Sequence, residues 1–243
     1  MLSKSQVKYI QSLGHKKFRD ADSVFIAEGP KIVKELITEI PGLIKNIFGL
    51  KEWAEENQQL LNKTEHTIIE EADLERISQL TEPNKVLAVV NKISNNDIDT
   101  KGKITLVLDT IQDPGNMGTI IRTADWFGIN QVVCSIDSAD IYNPKVVQAT
   151  MGSIARVKIL YTDLQSWLQQ QQVKIYAASL KGNDISKANK ISEGIIIIGN
   201  ESRGIHAELM ELAQEKITIT KSGKAESLNA AVAAGIILSH VKN

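Results

Sequence analysis

Three polar segments carry the groups in this 243-residue chain that are best suited to bind a ligand. They are Asp109–Arg122, Gly199–Gly204 and Ile219–Asn229, and each lies at the end of a run of apolar residues. In open parallel sheets, ligands bind beyond the carboxyl ends of the strands. Because the apolar runs are typical of such strands, the three segments are candidates for ligand-binding loops.

The first segment combines a tight turn with an arginine. Asp113–Asn116 is rich in turn-forming residues, and Asn116 is a candidate cap for the helix that follows. Backbone N–H groups at such a turn are suited to meet a phosphate or a ribose. The same residues, with Arg122 on the helix, are equally typical of an ordinary strand–turn–helix corner that carries a surface arginine.

The other two segments are weaker signals when each is taken alone. Gly199 permits the close approach of a ligand, whereas Glu201, at the end of a buried strand, is better interpreted in isolation as a cap or a surface acid. In the third segment, Glu226 or Ser227 is a candidate helix cap. The alanine-rich helix that follows predicts close packing against another part of the backbone, for which ordinary core packing is the default explanation.

Several ligand classes are excluded by spacing. Gly223–Lys224 does not form a nucleoside-triphosphate loop, because Ala225 stands where a magnesium-binding hydroxyl is required. Gly115 and Gly118 lack the dinucleotide-binding spacing, which disfavours a nicotinamide-dependent enzyme. The four histidines are scattered and Cys134 is the only cysteine, so we expect no metal site.

The alternation of apolar and polar residues predicts two α/β domains. Residues 1–92 alternate short helices with short strands, and the polar stretch from Lys92 to Lys103 is the predicted linker. Residues 104–243 alternate buried strands with helices, which predicts a parallel sheet covered by helices. The strand candidates there are Ile104–Leu108, Gln131–Cys134, Arg156–Leu160, Val173–Ala177, Gly194–Ile198 and Lys216–Ile219. A final helix is predicted from Glu226 to about Val241.

The charge distribution is informative only locally. The whole chain has a formal net charge of -1, so its total charge does not favour nucleic acid as a partner. Residues 1–34, however, contain seven lysines and arginines against three acidic residues. Lys16, Lys17 and Arg19 flank Phe18, a pattern that is typical of a surface that follows an RNA backbone and can stack a base. A solvated basic helix end is an equally good interpretation.

Nothing in the sequence predicts export or a membrane. Met1–Lys17 lacks the apolar stretch of a signal peptide, and the longest apolar runs are far too short to span a bilayer. With 42% hydrophobic and 23% charged residues, the composition is that of a globular protein. We therefore expect a cytoplasmic protein.

Taken together, the three segments resemble the signature motifs of the SpoU/TrmH family of RNA methyltransferases, within the SPOUT superfamily. Asn116 to Arg122 resembles the first motif, Gly199 to Gly204 the second, and Ile219 to Asn229 the third. Their order and spacing agree with the family from about Ile104 to the C-terminus. Residues 1–92 resemble the substrate-binding domain, related to ribosomal protein L30e, that often precedes this catalytic domain.

The resemblance implies a function and a site. It implies an enzyme that transfers a methyl group from S-adenosylmethionine to a ribose 2′-hydroxyl of RNA, in a domain with a C-terminal trefoil knot, and a homodimer. The implied catalytic residues are Arg122, Asn116, Glu201, Ser227 and Asn229. The implied cofactor-binding residues are Gly199, Asn200, Ile219, Ser227 and Leu228. Because an arginine side chain remains protonated in proteins, Arg122 is expected to stabilise the reacting oxygen rather than to act as a base.

One departure from the family pattern leaves alternatives open. Thr220–Lys221 stands where the family usually has Pro-Met, so the third loop lacks the proline that helps to shape its turn. An RNA-binding module of the same fold that has lost catalysis is therefore one alternative. Within the enzyme class, the N-terminal domain favours ribosomal RNA, and transfer RNA is the alternative substrate.

Overall fold

The computed structural model describes residues 1–62, 64–94, 97–187 and 190–242, without the side chain of Lys242. Two compact units are present. One comprises Met1–Ser94 and Asp140–Arg156, and the other comprises the described residues of Asn95–Ala139 and Val157–Asn243. The predicted linker includes Asn95 and Asn96, which lie outside the described residues. The units are not divided by one boundary in the sequence, because Asp140–Arg156 belongs to the first unit although it follows part of the second.

The described residues form helices α1 to α11 and strands β1 to β10. The helices are α1 (Lys4–Ser12), α2 (Lys16–Asp22), α3 (Pro30–Glu39), α4 (Lys51–Glu56), α5 (Gln58–Leu61), α6 (Glu71–Ile77), α7 (Pro114–Trp126), α8 (Pro144–Thr150), α9 (Leu164–Gln169), α10 (Ala207–Leu212) and α11 (Ala230–Lys242). The strands are β1 (Val24–Glu28), β2 (Ile44–Leu50), β3 (His66–Ile69), β4 (Val86–Asn91), β5 (Ile104–Leu108), β6 (Gln131–Ser135), β7 (Lys158–Thr162), β8 (Ile175–Asp184), β9 (Gly194–Ile198) and β10 (Glu215–Thr218).

The first unit is built on a four-stranded sheet in the order β1-β4-β2-β3. Strand β4 pairs antiparallel with β1 and β2, whereas β3 pairs parallel with β2. Apolar residues from α1, α6 and the sheet form a core that includes Leu13, Ile26, Ile77 and Leu87. Pro30 begins α3, where the first helical position needs no backbone N–H.

The second unit is built on a six-stranded parallel sheet in the order β10-β8-β9-β5-β6-β7. Every residue of the central strands β5 and β9 is buried. Both strands are almost purely apolar because helices cover both faces of a parallel sheet. The predicted α/β class with a parallel sheet is confirmed. The order also brings the carboxyl ends of β5 and β9 side by side, which places the first two polar segments next to each other.

Some element boundaries differ from the sequence-based predictions. The last helix begins at Ala230 rather than Glu226, since Asn229 provides its cap: the Asn229 Oδ1 accepts hydrogen bonds from the backbone N of Ala231 at 2.9 Å and of Val232 at 3.2 Å. Strand β8 continues to Asp184, well beyond the predicted end at Ala177. The boundary is determined by the cap residue in the helix and by pairing with the neighbouring strand in β8, and the apolar pattern alone indicates neither.

Candidate active site

The side chain of Asn116 connects all three polar segments of the second unit. Its amide Nδ2 donates a hydrogen bond to the carboxylate of Glu201, which lies in the loop after β9. Its carbonyl Oδ1 accepts a hydrogen bond of 2.9 Å from Nδ2 of Asn229, at the start of α11. Asn116, Glu201 and Asn229 are thus brought together in one network, although 85 residues separate the first two and 113 separate Asn116 from Asn229.

Asn116 is free to do this because another residue caps its helix. The side chain of Asp113 accepts a hydrogen bond of 2.7 Å from the backbone N of Asn116, so Asp113 is the cap of α7. The prediction that Asn116 caps this helix is wrong. Asn116 lies inside the first turn, where its amide points away from the helix backbone and reaches the other two segments.

Arg122 lies outside this network. It is exposed on α7, and its guanidinium has no hydrogen bond or ion pair within the part of the chain that the structure describes. Six residues along a helix correspond to a rise of about 9 Å and less than two turns. Arg122 therefore presents an uncompensated positive charge about two turns from Asn116, and it remains available to an anionic ligand.

The loop after β9 is closed by its own backbone. Asn200 and Gly204 exchange two backbone hydrogen bonds, of 3.1 and 2.9 Å, and the Asn200 side chain accepts hydrogen bonds from the next turn. A Cβ atom at Gly199 would lie 2.3 Å from the carbonyl group of Gly204, so only glycine fits there. Gly204 itself has φ +73°, which favours glycine. The glycines of this motif thus define the shape of the loop that carries Glu201.

The third segment is exposed along most of its length. Residues 221–229 are all exposed, and Ile219 is half-buried. Among the described residues, the backbone N–H groups of Ser227 and Leu228 and the Ser227 hydroxyl have no hydrogen-bond partner. The Leu228 side chain is 44% exposed. The segment therefore offers free backbone donors and an apolar surface next to the Asn116 network.

The unusual Thr220–Lys221 pair is held by contacts of its own. Lys221 Nζ donates a 3.2 Å hydrogen bond to the carbonyl of Ala225, across the turn. Thr220 hydrogen-bonds the carboxylate of Asp184, which contributes to lowering the pKa of Asp184, after the larger effect of the Ser186 hydrogen bonds. These polar contacts restrain the third loop without a proline.

Sequence reasoning missed an ionic pair beside the second segment. Asp109 is 2% exposed at the end of β5, and its carboxylate lies 2.9 Å from Nδ1 of His206. This hydrogen bond, followed by the charge of Asp109, raises the pKa of His206 above its usual value. The signal in the sequence was an acid directly after a buried strand, but its partner is 97 residues away and no spacing rule connects them.

The predicted RNA-binding residues lie in the first unit and do not share one surface. Lys16 and Lys17 are exposed on α2, and Phe18 beside them is 45% exposed. Arg19 is only 2% exposed: Nη1 donates to the carbonyls of Leu13 and Gly14, and Nη2 pairs with Asp140 at 2.7 Å. Its guanidinium is used to hold the unit together, so we remove Arg19 from the phosphate-binding set.

Cys134 and the possible metal-ligating groups are the remaining candidates for chemistry. Cys134 is fully buried on β6, and this burial raises the pKa of its thiol, which is the behaviour of a small apolar core residue. Within the described residues, no group of three or more histidine, cysteine, aspartate or glutamate side chains is arranged to hold a metal ion. Nor is any described helix both long enough and apolar enough to span a bilayer.

Known protein families match both parts of the chain. Residues 103–239 match the model of the SpoU rRNA Methylase family, and residues 4–88 match that of the MRM3-like substrate binding domain. The 23S rRNA (guanosine(2553)-2′-O)-methyltransferase RlmP of Bacillus subtilis (strain 168) is 31% identical over 241 residues, which cover 98% of this chain and 96% of that protein.

Solved structures resemble the whole chain. A structure from Porphyromonas gingivalis, attributed to the TrmH family of RNA methyltransferases, is 35% identical with a TM-score of 0.85, and the match covers 100% of this chain and 98% of that one. The AdoMet-bound rRNA methyltransferase from Sinorhizobium meliloti is 29% identical with a TM-score of 0.88, covering 99% and 95% of the two chains.

The chain belongs to the SpoU rRNA methylase family. The resemblance stated from the three motifs is thereby confirmed, and with it the enzyme class, RNA ribose 2′-O-methyltransferase, and its methyl donor, S-adenosylmethionine.

Proposed function

We propose that this protein transfers a methyl group from S-adenosylmethionine to a ribose 2′-hydroxyl of ribosomal RNA, at a site built by the three polar segments. The observation that carries the proposal is the Asn116 side chain, which joins Glu201 and Asn229 in one hydrogen-bond network. The Bacillus subtilis relative, named as a 23S rRNA 2′-O-methyltransferase, supports ribosomal RNA as the substrate over transfer RNA. A cytoplasmic location follows from that substrate.

The proposed domains follow the family matches. Residues 1–92 form the RNA-substrate-binding domain and residues 104–243 the methyltransferase domain, which we propose to contain the trefoil knot of the family. The match of residues 4–88 to a substrate binding domain supports the first assignment. The match of residues 103–239 supports the second.

The third segment is suited to bind the cofactor because it has backbone N–H groups without hydrogen-bond partners and an exposed apolar side chain. We assign S-adenosylmethionine to Gly199, Asn200, Ile219, Ser227 and Leu228. When bound, it supplies a methyl group on a sulfonium, which is already activated for displacement. The free N–H groups of Ser227 and Leu228 are suited to hydrogen-bond a nucleoside, and the exposed Leu228 side chain is suited to cover its base.

The chain's own residues have the remaining tasks of orienting the ribose and stabilising its oxygen. Arg122 is permanently protonated, so it donates hydrogen bonds to the reacting oxygen or a neighbouring phosphate and is not the base. Asn116, through its two side-chain bonds, fixes Glu201 and Asn229. Glu201 organises the loop, and Ser227, with its free hydroxyl, contacts the substrate.

We expect the protein to bind S-adenosylmethionine in the presence of a metal chelator. The donor is already activated, and the groups assigned to its binding are backbone amides and neutral side chains, so no metal is needed for this step. Isothermal titration calorimetry in EDTA should give one site per chain. A requirement for added divalent cation would contradict the proposal, and complete absence of binding would favour the alternative of a noncatalytic RNA-binding module.

The first unit is proposed to bind RNA through Lys16 and Lys17. Lys16 forms a 2.7 Å ion pair with Asp20, but both side chains are largely exposed, and exposed pairs contribute only about 0–1 kcal/mol. An RNA phosphate therefore replaces Asp20 at low cost. Phe18, exposed between these lysines and the buried Arg19, is available to stack on a base.

Replacing Lys16 and Lys17 together with alanine should weaken RNA binding and reduce its dependence on salt. Each single-strand phosphate contact contributes roughly −0.7 to the slope of log affinity against log salt concentration, so the slope should flatten by about 1.4. Filter-binding assays over a range from low to moderate salt concentration measure this slope. Lys51→Ala is the matched control, because Lys51 is an exposed lysine of the same unit that also pairs with an acid four residues later. An unchanged slope in the double variant would assign both lysines to solvent.

We further propose that the protein is a homodimer through α7 and α11. These two helices pack on each other in the chain, and each leaves an apolar side chain in solvent, Trp126 at 84% and Val232 at 50% exposed. Small buried residues of α11, such as Ala234, let the helices approach closely. Light scattering at micromolar concentration should give twice the chain mass of 26.8 kDa, and Trp126→Glu should shift it towards the monomer. A stable monomer in the unmodified protein would contradict this.

A further inference from the structure

Two neighbouring residues at the end of β5 hold the two ends of the loop that carries Glu201. The carboxylate of Asp109 accepts a 2.7 Å hydrogen bond from the backbone N of His206 and contacts the His206 ring at 2.9 and 3.0 Å. The carbonyl of Thr110 accepts a 3.0 Å hydrogen bond from Nδ2 of Asn200. Asn200 begins the loop and His206 follows its end, so the loop is attached at both sides to one point of the sheet.

The backbone at this point is itself unusual. Thr110 has φ +56°, a left-handed conformation that is uncommon for a threonine. It is held there by hydrogen bonds on both sides: its N donates to the Ser135 hydroxyl at 2.9 Å, and its hydroxyl donates to Asp109 at 3.0 Å. This conformation directs the Thr110 carbonyl to Asn200 while Asp109 faces His206.

Asp109 also holds the residue that precedes α10. A helix start is generally capped by a serine, threonine, asparagine or aspartate at the position before its first residue. His206 occupies that position and makes no capping bond with its side chain, whereas Asp109, from a different element, accepts the backbone N–H. An ionised carboxylate can only accept hydrogen bonds, so the proton of the shared bond to the ring lies on Nδ1 of His206.

The groups around His206 favour its charged form. They come from four elements and line a cavity of about 150 Å³: Asp109 after β5, Asp137 after β6, Asp163 before α9 and Glu208 on α10. Among the residues that line this cavity, none is a lysine or an arginine. The hydrogen bond to Asp109 and the surrounding negative charge raise the pKa of His206, so the charged pair persists above the usual histidine range and weakens as the pH rises further.

We propose that Asp109 and His206 are positioning residues, which hold the Gly199–Gly204 loop in the shape that binds S-adenosylmethionine and aligns Glu201 with Asn116. Neither residue belongs to the three motifs, and neither touches the Asn116 network. Their effect passes through the loop, because releasing one end lets Gly199–Gly204 move against Thr110. The inference rests on the proposed function, since it assigns the loop to cofactor binding.

The pair is tested by cofactor affinity and its pH dependence. Asp109→Asn and His206→Gln keep the approximate shapes but remove the ionic bond, so each should weaken S-adenosylmethionine binding about tenfold near neutral pH, the loss typical of a charge-assisted hydrogen bond. In the wild-type protein, affinity should fall as the pH rises through the His206 titration, which NMR follows directly. In both variants this step should disappear. His66→Gln, which removes an exposed histidine from β3 of the other unit, should retain the wild-type profile.

A third variant separates positioning from folding. His206→Ser supplies a residue that caps α10 by itself, so its thermal stability should be near that of the wild type, while the pH-dependent fall in affinity should still be lost. Wild-type affinity and pH profile in a folded Asp109→Asn or His206→Ser protein would overturn the inference. Failure of the proposed function looks different, because the wild-type protein itself would then bind no S-adenosylmethionine in the same titration.

Discussion

Replacing Arg122 with alanine should reduce the methyl-transfer rate of this protein by on the order of a hundredfold or more, the typical cost of losing one donor to a developing oxyanion. Arg122 is exposed on α7, makes no hydrogen bond or ion pair within the described chain, and caps no helix. Its removal should therefore leave the melting temperature and the affinity for S-adenosylmethionine nearly unchanged. The assay is incorporation of tritiated methyl groups into deproteinised ribosomal RNA under single-turnover conditions.

Two further variants define the role of the guanidinium. Arg122→Lys should recover little activity, because a point charge does not reproduce the planar fork of donors. Arg76→Ala is the matched control, since it removes a half-exposed arginine from α6 and should leave turnover within a few-fold of the wild type. Normal methyl transfer by a well-folded Arg122→Ala protein would refute the proposed role, although the fold and the family would be unaffected.

Replacing Asn116 with alanine should lower kcat/KM by about 10- to 100-fold, through a different cause. The variant loses two hydrogen bonds, one to the carboxylate of Glu201 and a neutral one from Asn229. A hydrogen bond to a charged group contributes about 1.5–3 kcal/mol. The three segments then lose their common partner, so cofactor affinity should fall together with turnover. Arg122→Ala, by contrast, should affect turnover alone. Calorimetry for cofactor affinity, together with kinetics for turnover, distinguishes the two variants.

Asn183 offers a matched control for this experiment. Its Nδ2 also donates to a glutamate, Glu215, at 3.2 Å, but this bond connects β8 with β10 outside the Asn116 network. Asn183→Ala should therefore change neither cofactor affinity nor turnover by more than a few-fold. Equal losses of turnover and cofactor affinity in the Asn116 and Asn183 variants would mean that asparagine–glutamate bonds elsewhere in this unit are equally important. Such a result would contradict the proposed role of Asn116.

The parallel sheet and the polar segments at the ends of its strands were predictable because they depend on local patterns. The apolar runs at β5 and β9 are continuous, as strands covered on both faces require, and polar segments follow them directly. The sequence also contained the residues that meet in the network, Asn116, Glu201 and Asn229. Their direct contact was not predictable, because it depends on which strands are neighbours and not on any spacing in the chain.

The wrong predictions also arise from contacts between residues that are far apart in the sequence. Arg19 has the charge and the neighbours of a phosphate-binding residue, but its partner Asp140 lies 121 residues away, and their pairing buries the guanidinium. The pairing of Asp109 with His206, 97 residues away, escaped prediction for the same reason. The start of α11 was misplaced because Ser227 and Asn229 are both good cap residues, and it is Asn229, also bonded to Asn116, whose side chain accepts from the first turn.

Methyl transfer by the purified protein to defined RNA is the most direct test of the account. The protein is incubated with tritiated S-adenosylmethionine in EDTA and with deproteinised 23S rRNA, 16S rRNA or bulk tRNA, and the RNA is digested to nucleosides for mass spectrometry. We expect label in 23S rRNA, recovered as a 2′-O-methylated nucleoside and reduced at least about a hundredfold by Arg122→Ala. Label on a base, label confined to tRNA, or no label despite tight binding of S-adenosylmethionine would contradict the proposed function.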